Sequence, residues 1–371
     1  MDKGKESPMS NSVSRRGFVA GAAGAGAMAV LAGLTACGGS KKDDTKKDAG
    51  DDSKATTKAK LEMVTDTGGV NDQSFNQLAW EGMQQLQKEE GWDVSYLESK
   101  QESDYATNLD KAVDDKSQLV WGVGFAMADA IVEAAKKNSD VQFAIIDYGN
   151  NDGSISNLTG VTFRAQEPSF LVGYIAARTT KTGKVGFVGG QTSDIIDQFE
   201  YGYRAGVLFA NKEQSLNVEI QSQYAESFTD AAKGKSIAAK MFSDGCDVVF
   251  HAAGGVGTGV IEAAKDAGKF AIGVDKDQAY LAPENVLTSA LKKVNVAVVD
   301  VSKKILKDGD KGGKTVELGF TDDAVGIPED HKLMGDEVYK GAMEAADKIK
   351  AGSIVPPANK DDLAKYEKSL A

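Results

Sequence analysis

The loop after the first apolar run of the chain carries more polar groups than a turn requires. Leu61–Val64 is followed by Asp66, the pair Gly68–Gly69, then Asn71–Asp72 and the aromatic residue Phe75. A turn needs only one or two residues of these types. Glycines after a strand let backbone N–H groups approach a bound molecule, and carboxylates accept hydrogen bonds from it. The surplus therefore indicates a loop that holds a ligand.

Loops of similar composition follow five further apolar runs. The residues in them that could contact a ligand are Phe125, Asp147, Phe199, Gly254, Gly255 and Asp275. Aspartates accept hydrogen bonds from the vicinal hydroxyls of a sugar, and phenylalanine rings stack on planar rings. Carboxylates also repel phosphate. The composition thus predicts a neutral ligand with a hydroxyl-rich part and a flat heteroaromatic part, which describes a nucleoside better than a nucleotide.

The same residues have simpler interpretations. Aspartate is a favoured N-cap, so Asp66, Asp147 and Asp275 could each do no more than cap the helix that follows. Phe75 and Phe199 could belong to the core, because each lies in the first or second turn of a predicted helix. A ligand role is favoured because all these loops are expected to converge on one cleft.

That expectation comes from the order of the elements. From Lys60 to Ile146, and again from Lys184 to Asp275, short apolar runs alternate with amphipathic stretches at helical spacing. Such alternation is typical of parallel sheets with helices on both faces, and ligands bind these sheets outside the carboxyl ends of the strands. The pattern predicts an α/β protein with two Rossmann-like lobes.

Three more predicted strands lie outside this alternation, in the segments "NLTGVTFRAQE", "NVLTSALKKV" and "KTVELGF". We interpret them as crossovers that join the lobes and leave a hinged cleft between them. The expected first lobe is 60–160 with 290–312, and the expected second lobe is 161–289 with 313–371.

The N-terminus predicts export and lipidation. Arg15–Arg16 precede a weakly apolar, Gly/Ala-rich run, which resembles a twin-arginine signal and is too short and Gly-rich for a typical membrane helix. Leu34–Cys37 resembles a lipobox, so 1–36 is read as a signal peptide and Cys37 as the lipidated residue at the cell membrane. Residues 37–59 contain almost no apolar side chains and are expected to be a disordered tether. The twin-arginine and general secretory routes both stay open.

The overall charge limits the partners. The chain carries 43 Lys and Arg against 55 Asp and Glu, a formal net charge of −12, and only two cysteines. An acidic protein is a poor candidate for nucleic-acid binding. With Cys37 lipidated, Cys246 has no partner for an internal disulfide and is expected to be a small buried side chain.

Five motifs in order resemble one known family. They are "VTDTGGVNDQSFNQLAWEGM", "GKVGFVGG" with "QFEYGYRAG", "FHAAGGVGTGVIEAA", "AIGVDKDQ" and "VLTSALKKVNVAV". Together they resemble the basic membrane protein family of purine-nucleoside-binding lipoproteins, the substrate receptors of ABC importers. The resemblance runs from Lys60 to about Gly326. It implies a type I periplasmic-binding fold, a ligand such as adenosine, guanosine or inosine, and a monomer that delivers this ligand to an ABC permease.

The resemblance also implies a role for each candidate residue. Asp66, Asn71 and Asp72 would face the ligand from the first loop. Phe75 and Phe199 would clamp the base between their rings.

The other implied contacts come from later loops. Phe125 and Asp147 would line the pocket, and Gly254–Gly255 would approach the ligand by backbone. Asp275 would take the ribose hydroxyls, and Lys292 occupies the position of the family's lysine, with Lys293 beside it.

Other functions stay open at this stage. A nucleoside-cleaving enzyme is the weaker alternative, because such enzymes cluster carboxylates around a metal and here the aspartates are scattered over both lobes. His251 is one of only two histidines and reads as a structural residue at a strand end. We therefore expect no catalysis, metal or cofactor. A receptor of the same fold for a sugar or another small molecule, or one that signals instead of feeding a transporter, is not distinguished.

Overall fold

Two six-stranded sheets form two lobes. The computed structural model describes residues 58–370, so the predicted signal peptide, Cys37 and nearly all of the predicted tether lie outside the described part. The first lobe begins with alternating elements: β1 (Lys60–Thr65), α1 (Phe75–Glu90), β2 (Asp93–Leu97), α2 (Asp104–Asp114), β3 (Leu119–Val123), α3 (Ala128–Lys137), β4 (Gln142–Ile146) and β5 (Leu158–Phe163).

The second lobe repeats this alternation. Its elements are α4 (Gln166–Thr179), β6 (Lys184–Gly189), α5 (Asp194–Gln214), β7 (Glu219–Tyr224), α6 (Ala231–Ser243), β8 (Val248–Ala252), α7 (Val256–Ala267), β9 (Phe270–Asp275) and β10 (Val286–Lys292). The chain then continues through α8 (Val294–Leu306), β11 (Lys314–Leu318), β12 (Val325–Gly326), α9 (Asp336–Lys350) and α10 (Lys360–Leu370). Short 3₁₀ helices lie at Phe125–Met127, Ala279–Leu281 and Phe320–Asp322.

The two sheets have matching strand orders. The first is β11-β5-β4-β3-β1-β2 and the second is β12-β10-β9-β8-β6-β7. Every neighbouring pair is parallel except β10 with β12. The central strands are fully buried, as in "LVWGV" of β3, because helices cover both faces of a parallel sheet. All carboxyl ends in one lobe therefore lie along one edge of its sheet, where the loops with the candidate residues begin.

The chain passes between the lobes three times: after β5, after β10 and before β12. These crossings fall at the ends of strands, which differs from the expected lobe limits. β10 pairs with β9 in the second sheet, and β11 pairs with β5 in the first, although 313–371 was expected in the second lobe. A strand pairs along its whole length, so the chain changes lobe only after the strand has ended.

The three crossings lie side by side. The backbone N–H of Arg164 donates to Leu318 O at 2.8 Å, and Lys293 N–H donates to Ala324 O at 2.8 Å. The Glu167 carboxylate accepts from Arg164 Nε at 2.7 Å and from the backbone N–H of Phe320 at 2.6 Å. Within residues 58–370 no helix is long and apolar enough to cross a membrane.

Candidate ligand-binding site

A cavity lies between the carboxyl ends of the two sheets, with about 60 Å³ of space open to the centres of water molecules. Both lobes line it. The sequence-predicted residues along its wall are Asp66, Asp72, Phe75, Phe125, Asp147, Phe199, Gly254, Asp275 and Lys292. Two other predicted residues do not line it: Asn71 is exposed, and Gly255 lies at the start of α7.

The first loop is held by its own carboxylates. Asp72 accepts hydrogen bonds from the backbone N–H groups of Ser74, Asn76 and Gln77 at 2.8–3.1 Å, so it caps α1. Asp66 instead accepts from Gly68 N and Asn76 Nδ2, both at 2.8 Å. Asp72, which was expected only to face the ligand, therefore caps α1, whereas Asp66 does not. The side chain of Asp72 points to the start of α1, and the preceding side chain, Asn71, lies at the surface.

Asn76 is a cavity residue that the sequence analysis missed. Its Nδ2 bridges Asp66 Oδ1 at 2.8 Å and Asp72 Oδ2 at 3.0 Å. Its buried Oδ1 has no hydrogen-bond partner in the described part of the chain, although buried polar atoms are almost always paired. That oxygen is therefore free to accept a hydrogen bond from a ligand. The i, i+4 spacing from Asp72 was the signal that could have found it.

A buried ion pair joins the lobes at the cavity. Lys292 Nζ lies 2.6 Å from Asp147 Oδ2, and the two side chains are only 2% and 6% exposed. The ammonium also lies 4.7 Å from the ring centre of Phe75 and 5.8 Å from that of Phe199. Both distances are within the ~6 Å of a cation–π contact. The two rings predicted to clamp a base thus stand next to the same charged group.

Asp147 and Asp275 occupy corresponding places in the two lobes. Asp147 follows the fourth strand of the first lobe, and Asp275 ends the fourth strand of the second. Their φ angles are 65° and 64°, in the left-handed region that non-glycine residues seldom adopt. Such backbone strain costs about 1–3 kcal/mol per residue and is typical of binding and catalytic sites.

Burial raises the pKa of two cavity carboxyls. The pKa of Asp66 rises to about 6, mainly because the group is desolvated, while hydrogen bonds from Gly68 and Asn76 act in the opposite direction. Desolvation likewise raises the pKa of Asp275 to about 6, against the attraction of Lys292 and a hydrogen bond from Ser74. Relative to the ordinary aspartate pKa of 3.8, each shift corresponds to about 3 kcal/mol. Ionisation of these groups at neutral pH therefore lowers the stability of the unliganded protein.

Two aromatic rings close the cavity across the lobes. Phe125 follows β3 and Phe228 follows β7, and their ring centres are 6.3 Å apart in an edge-to-face arrangement. Phe228 was missed, although its place in a loop after a strand was the available signal. Phe199 lines the cavity and also packs on the core residue Phe250 with a centroid distance of 6.5 Å, so the core and ligand interpretations of Phe199 are compatible. Within residues 58–370 no three His, Cys, Asp or Glu side chains are grouped to hold a metal.

The raised pKa values predict how stability changes with pH. A group whose folded pKa lies above its unfolded value stabilises the fold below pH 3.8, and this contribution is lost as pH rises through about 6. We expect Asp66→Asn and Asp275→Asn to stabilise the unliganded protein by about 1–3 kcal/mol at pH 7.5 and to lose this gain near pH 4. Urea unfolding of each variant at both pH values measures the difference from wild type.

The exposed residue Asp152 is the control for this measurement. A hydrogen bond from the Ser154 backbone lowers the pKa of Asp152, so Asp152→Asn should give no gain at pH 7.5. If the cavity variants gained the same stability at pH 4 as at pH 7.5, desolvation of the ionised carboxylates would not be the cause of the gain.

Comparison with known proteins agrees with this architecture. Residues 59–360 match the family model described as "ABC transporter substrate-binding protein PnrA-like". A crystal structure of an ABC transporter solute-binding protein from Aeropyrum pernix K1 superposes with a TM-score of 0.77 at 26% identity, covering 84% of this chain and 99% of that one. The predicted type I periplasmic-binding fold is thereby confirmed.

Curated relatives are more similar in sequence. Basic membrane protein A of Borreliella afzelii is 41% identical over 315 residues, which is 84% of this chain and 95% of that protein. The ABC transporter nucleoside-binding protein BmpA of Lactococcus lactis subsp. cremoris is 39% identical over 350 residues, 88% of this chain and 96% of its own length. The chain therefore belongs to the family of PnrA-like substrate-binding proteins of ABC transporters.

Proposed function

We propose that the chain binds purine nucleosides in the cavity and delivers them to an ABC importer. The observation that carries the proposal is the pair of rings at the buried ion pair: Phe75 and Phe199 both contact the ammonium of Lys292. Two flat apolar faces beside a hydrogen-bond donor suit a heteroaromatic base, which stacks through its ring and accepts through its edge. A relative that is 39% identical is named as a nucleoside-binding protein, which supports the same ligand class.

The charges of the cavity favour an uncharged ligand. Asp66, Asp72, Asp147 and Asp275 line it, against the single lysine Lys292. Asp147 already neutralises that lysine at 2.6 Å. A ribose supplies hydroxyl donors to the remaining carboxylates, whereas a phosphate would bring negative charge into an enclosed space.

A titration panel tests this ligand class. We expect guanosine, inosine or adenosine to bind, and guanosine 5′-monophosphate to bind at least about a hundredfold more weakly, the equivalent of ~2.7 kcal/mol. Isothermal calorimetry with the three nucleosides, the monophosphate and free ribose gives the comparison. Equal affinities for guanosine and its monophosphate, or tighter binding of ribose, would overturn the proposal.

Truncating a clamp residue separates stacking from packing. Phe75 is only partly buried and lines the cavity. We expect Phe75→Ala to weaken nucleoside binding by about 1–3 kcal/mol, the usual loss for a base–aromatic contact, with a small change in the melting temperature of the free protein. Calorimetry and thermal melts on one preparation measure both quantities.

The matched control is a phenylalanine from the core. Phe143 is fully buried in the first lobe, so Phe143→Leu should lower the melting temperature and leave nucleoside affinity unchanged. If Phe75→Ala behaved like Phe143→Leu, Phe75 would be a core residue and not part of a clamp.

The importer role and the place of action are parts of the same proposal. The chain would be exported, lipidated at Cys37 and held as a monomer on the outer face of the cell membrane, where it meets its permease. Release of unchanged nucleoside, without cleavage, is expected of a receptor. These statements rest on the family and on the "LTAC" segment of the sequence.

The anchor can be tested by a single substitution. We expect Cys37→Ala to release the protein from the membrane, because acyl chains contribute ~0.8 kcal/mol per buried methylene and an acidic protein is not attracted to an anionic surface. Membrane and soluble fractions after a carbonate wash are compared for both forms. A Cys37→Ala protein that stayed with the membrane would contradict lipid anchoring at this residue.

A further inference from the structure

The segment after β9 makes a second set of contacts across the cleft, outside the cavity wall. Gln278 Nε2 donates to the backbone carbonyl of Gln73 at 3.0 Å, and the Tyr280 hydroxyl donates to Gln73 Oε1 at 2.9 Å. Lys276 Nζ lies 2.7 Å from Glu81 on α1. Three side chains of one short segment in the second lobe therefore contact the first lobe. Two of them reach Gln73 in the loop 66–74, called here the ligand loop, and the third reaches Glu81 on α1.

Contacts within the second lobe hold the side-chain amide of Gln278 in one orientation. The residue is fully buried. Its Oε1 accepts from the backbone N–H of Val274 at 3.0 Å and lies 3.0 Å from His251 Nε2. Its own backbone N–H donates to Ser289 Oγ at 3.1 Å. Because Val274 N–H is always a donor, the oxygen of the amide must stay inside the second lobe, and the NH₂ group must point to Gln73.

Glycines make room for this polar network. A Cβ at Gly273 would lie 2.7 Å from Gln278 Oε1, and a Cβ at Gly257 would lie 1.9 Å from the His251 ring. Two members of the network, Gln278 and His251, are therefore packed where only a glycine fits beside them. His251 Nδ1 has no hydrogen-bond partner among the described residues, so the orientation of the Gln278 amide rests on its own contacts with Val274 and His251 Nε2.

The acceptor on the other side depends on the shape of the ligand loop. Gln73 has a φ of 59°, in the left-handed region. It lies between Asp72, which caps α1, and Ser74, whose hydroxyl donates to Asp275 Oδ2 at 2.5 Å. A change in this loop would turn the Gln73 carbonyl away from Gln278.

We propose that Lys276–Tyr280 is an interlobe latch, with Gln278 as its positioning residue, that closes only on the ordered ligand loop. The latch deepens the proposed function, because the same loop carries Asp66, Asp72 and Phe75 at the cavity. The latch residues lie outside the cavity wall. They therefore lengthen the lifetime of the closed form without changing the ligand specificity of the cavity. They also favour closure of the free protein.

The test compares Gln278→Glu with wild type on the full-length chain. Ionised glutamate retains both acceptor contacts inside the second lobe but has no donor for the Gln73 carbonyl, so the comparison is made at pH 9, where the carboxylate form is favoured. We expect guanosine to dissociate about tenfold faster with an association rate within about twofold, as most interface changes act on dissociation. Small-angle X-ray scattering of the free variant should give a larger radius of gyration than wild type. Tyr280→Phe removes one exposed contact and should give a smaller effect of the same sign.

Ser302→Ala is the control for a general loss of stability. Ser302 accepts from Trp121 Nε1 at 2.9 Å in the buried core of the first lobe, so this variant should lower the melting temperature and leave the dissociation rate unchanged. Equal scattering and equal dissociation for wild type and Gln278→Glu would overturn the latch, as would equal acceleration by Ser302→Ala. If wild type bound no nucleoside, the proposed function would fail and scattering alone would decide the latch. If Gln278→Glu did not fold, the double variant Lys276→Met/Tyr280→Phe would carry the same comparison.

Discussion

The buried ion pair of Lys292 with Asp147 is the interaction on which the arrangement of the lobes depends. An ammonium at 2% exposure is tolerable only with a charged partner nearby, because an unpaired buried charge costs several kcal/mol. The partner belongs to the other lobe. Lys292 ends β10 in the second sheet, and Asp147 follows β4 in the first. The pair, and the aromatic rings around it, are therefore complete only when both lobes contribute to one cavity.

The internal repeat of the chain explains why that cavity has two similar halves. Each lobe places a strained aspartate at or just after the end of its fourth strand. The Lys292 ammonium lies near Phe75 and Phe163 of the first lobe and near Phe199 of the second. The halves are not used alike. Asp147 neutralises a lysine, whereas Asp275 accepts from Ser74 and keeps a raised pKa because it is desolvated. Corresponding positions thus provide a charge pair in one lobe and a hydrogen-bond acceptor in the other.

The fold was more predictable from the sequence than the details of the site. Periodicity identified the βα order, because strands buried on both faces read as continuous apolar runs. Whether the side chain of Asn71 or that of Asp72 faces inward depends on the residue at which α1 begins. The ends of helices are the least certain part of a secondary-structure prediction from sequence. Gln278 was not recognised because its partner Gln73 is far away in the sequence and in the other lobe. Asn76 has nearby partners, but its role comes from a buried amide oxygen without a partner, which the sequence does not show. The third crossing was predicted before β11 and lies after it. The sequence of β11 does not show whether this strand pairs with the first sheet or links the two lobes.

The three crossings also limit how the lobes can move. They lie next to one another, joined by hydrogen bonds from Arg164 to Leu318 and from Lys293 to Ala324, and by Glu167 bonded to the Phe320 backbone. Three adjacent segments linked in this way bend most easily about the axis that runs across them, and their hydrogen bonds resist sliding of one segment past another. Relative motion of the lobes is thereby directed mainly toward opening and closing of the cleft. A transporter that faces this protein would meet two surfaces whose separation reports how far the cleft has closed.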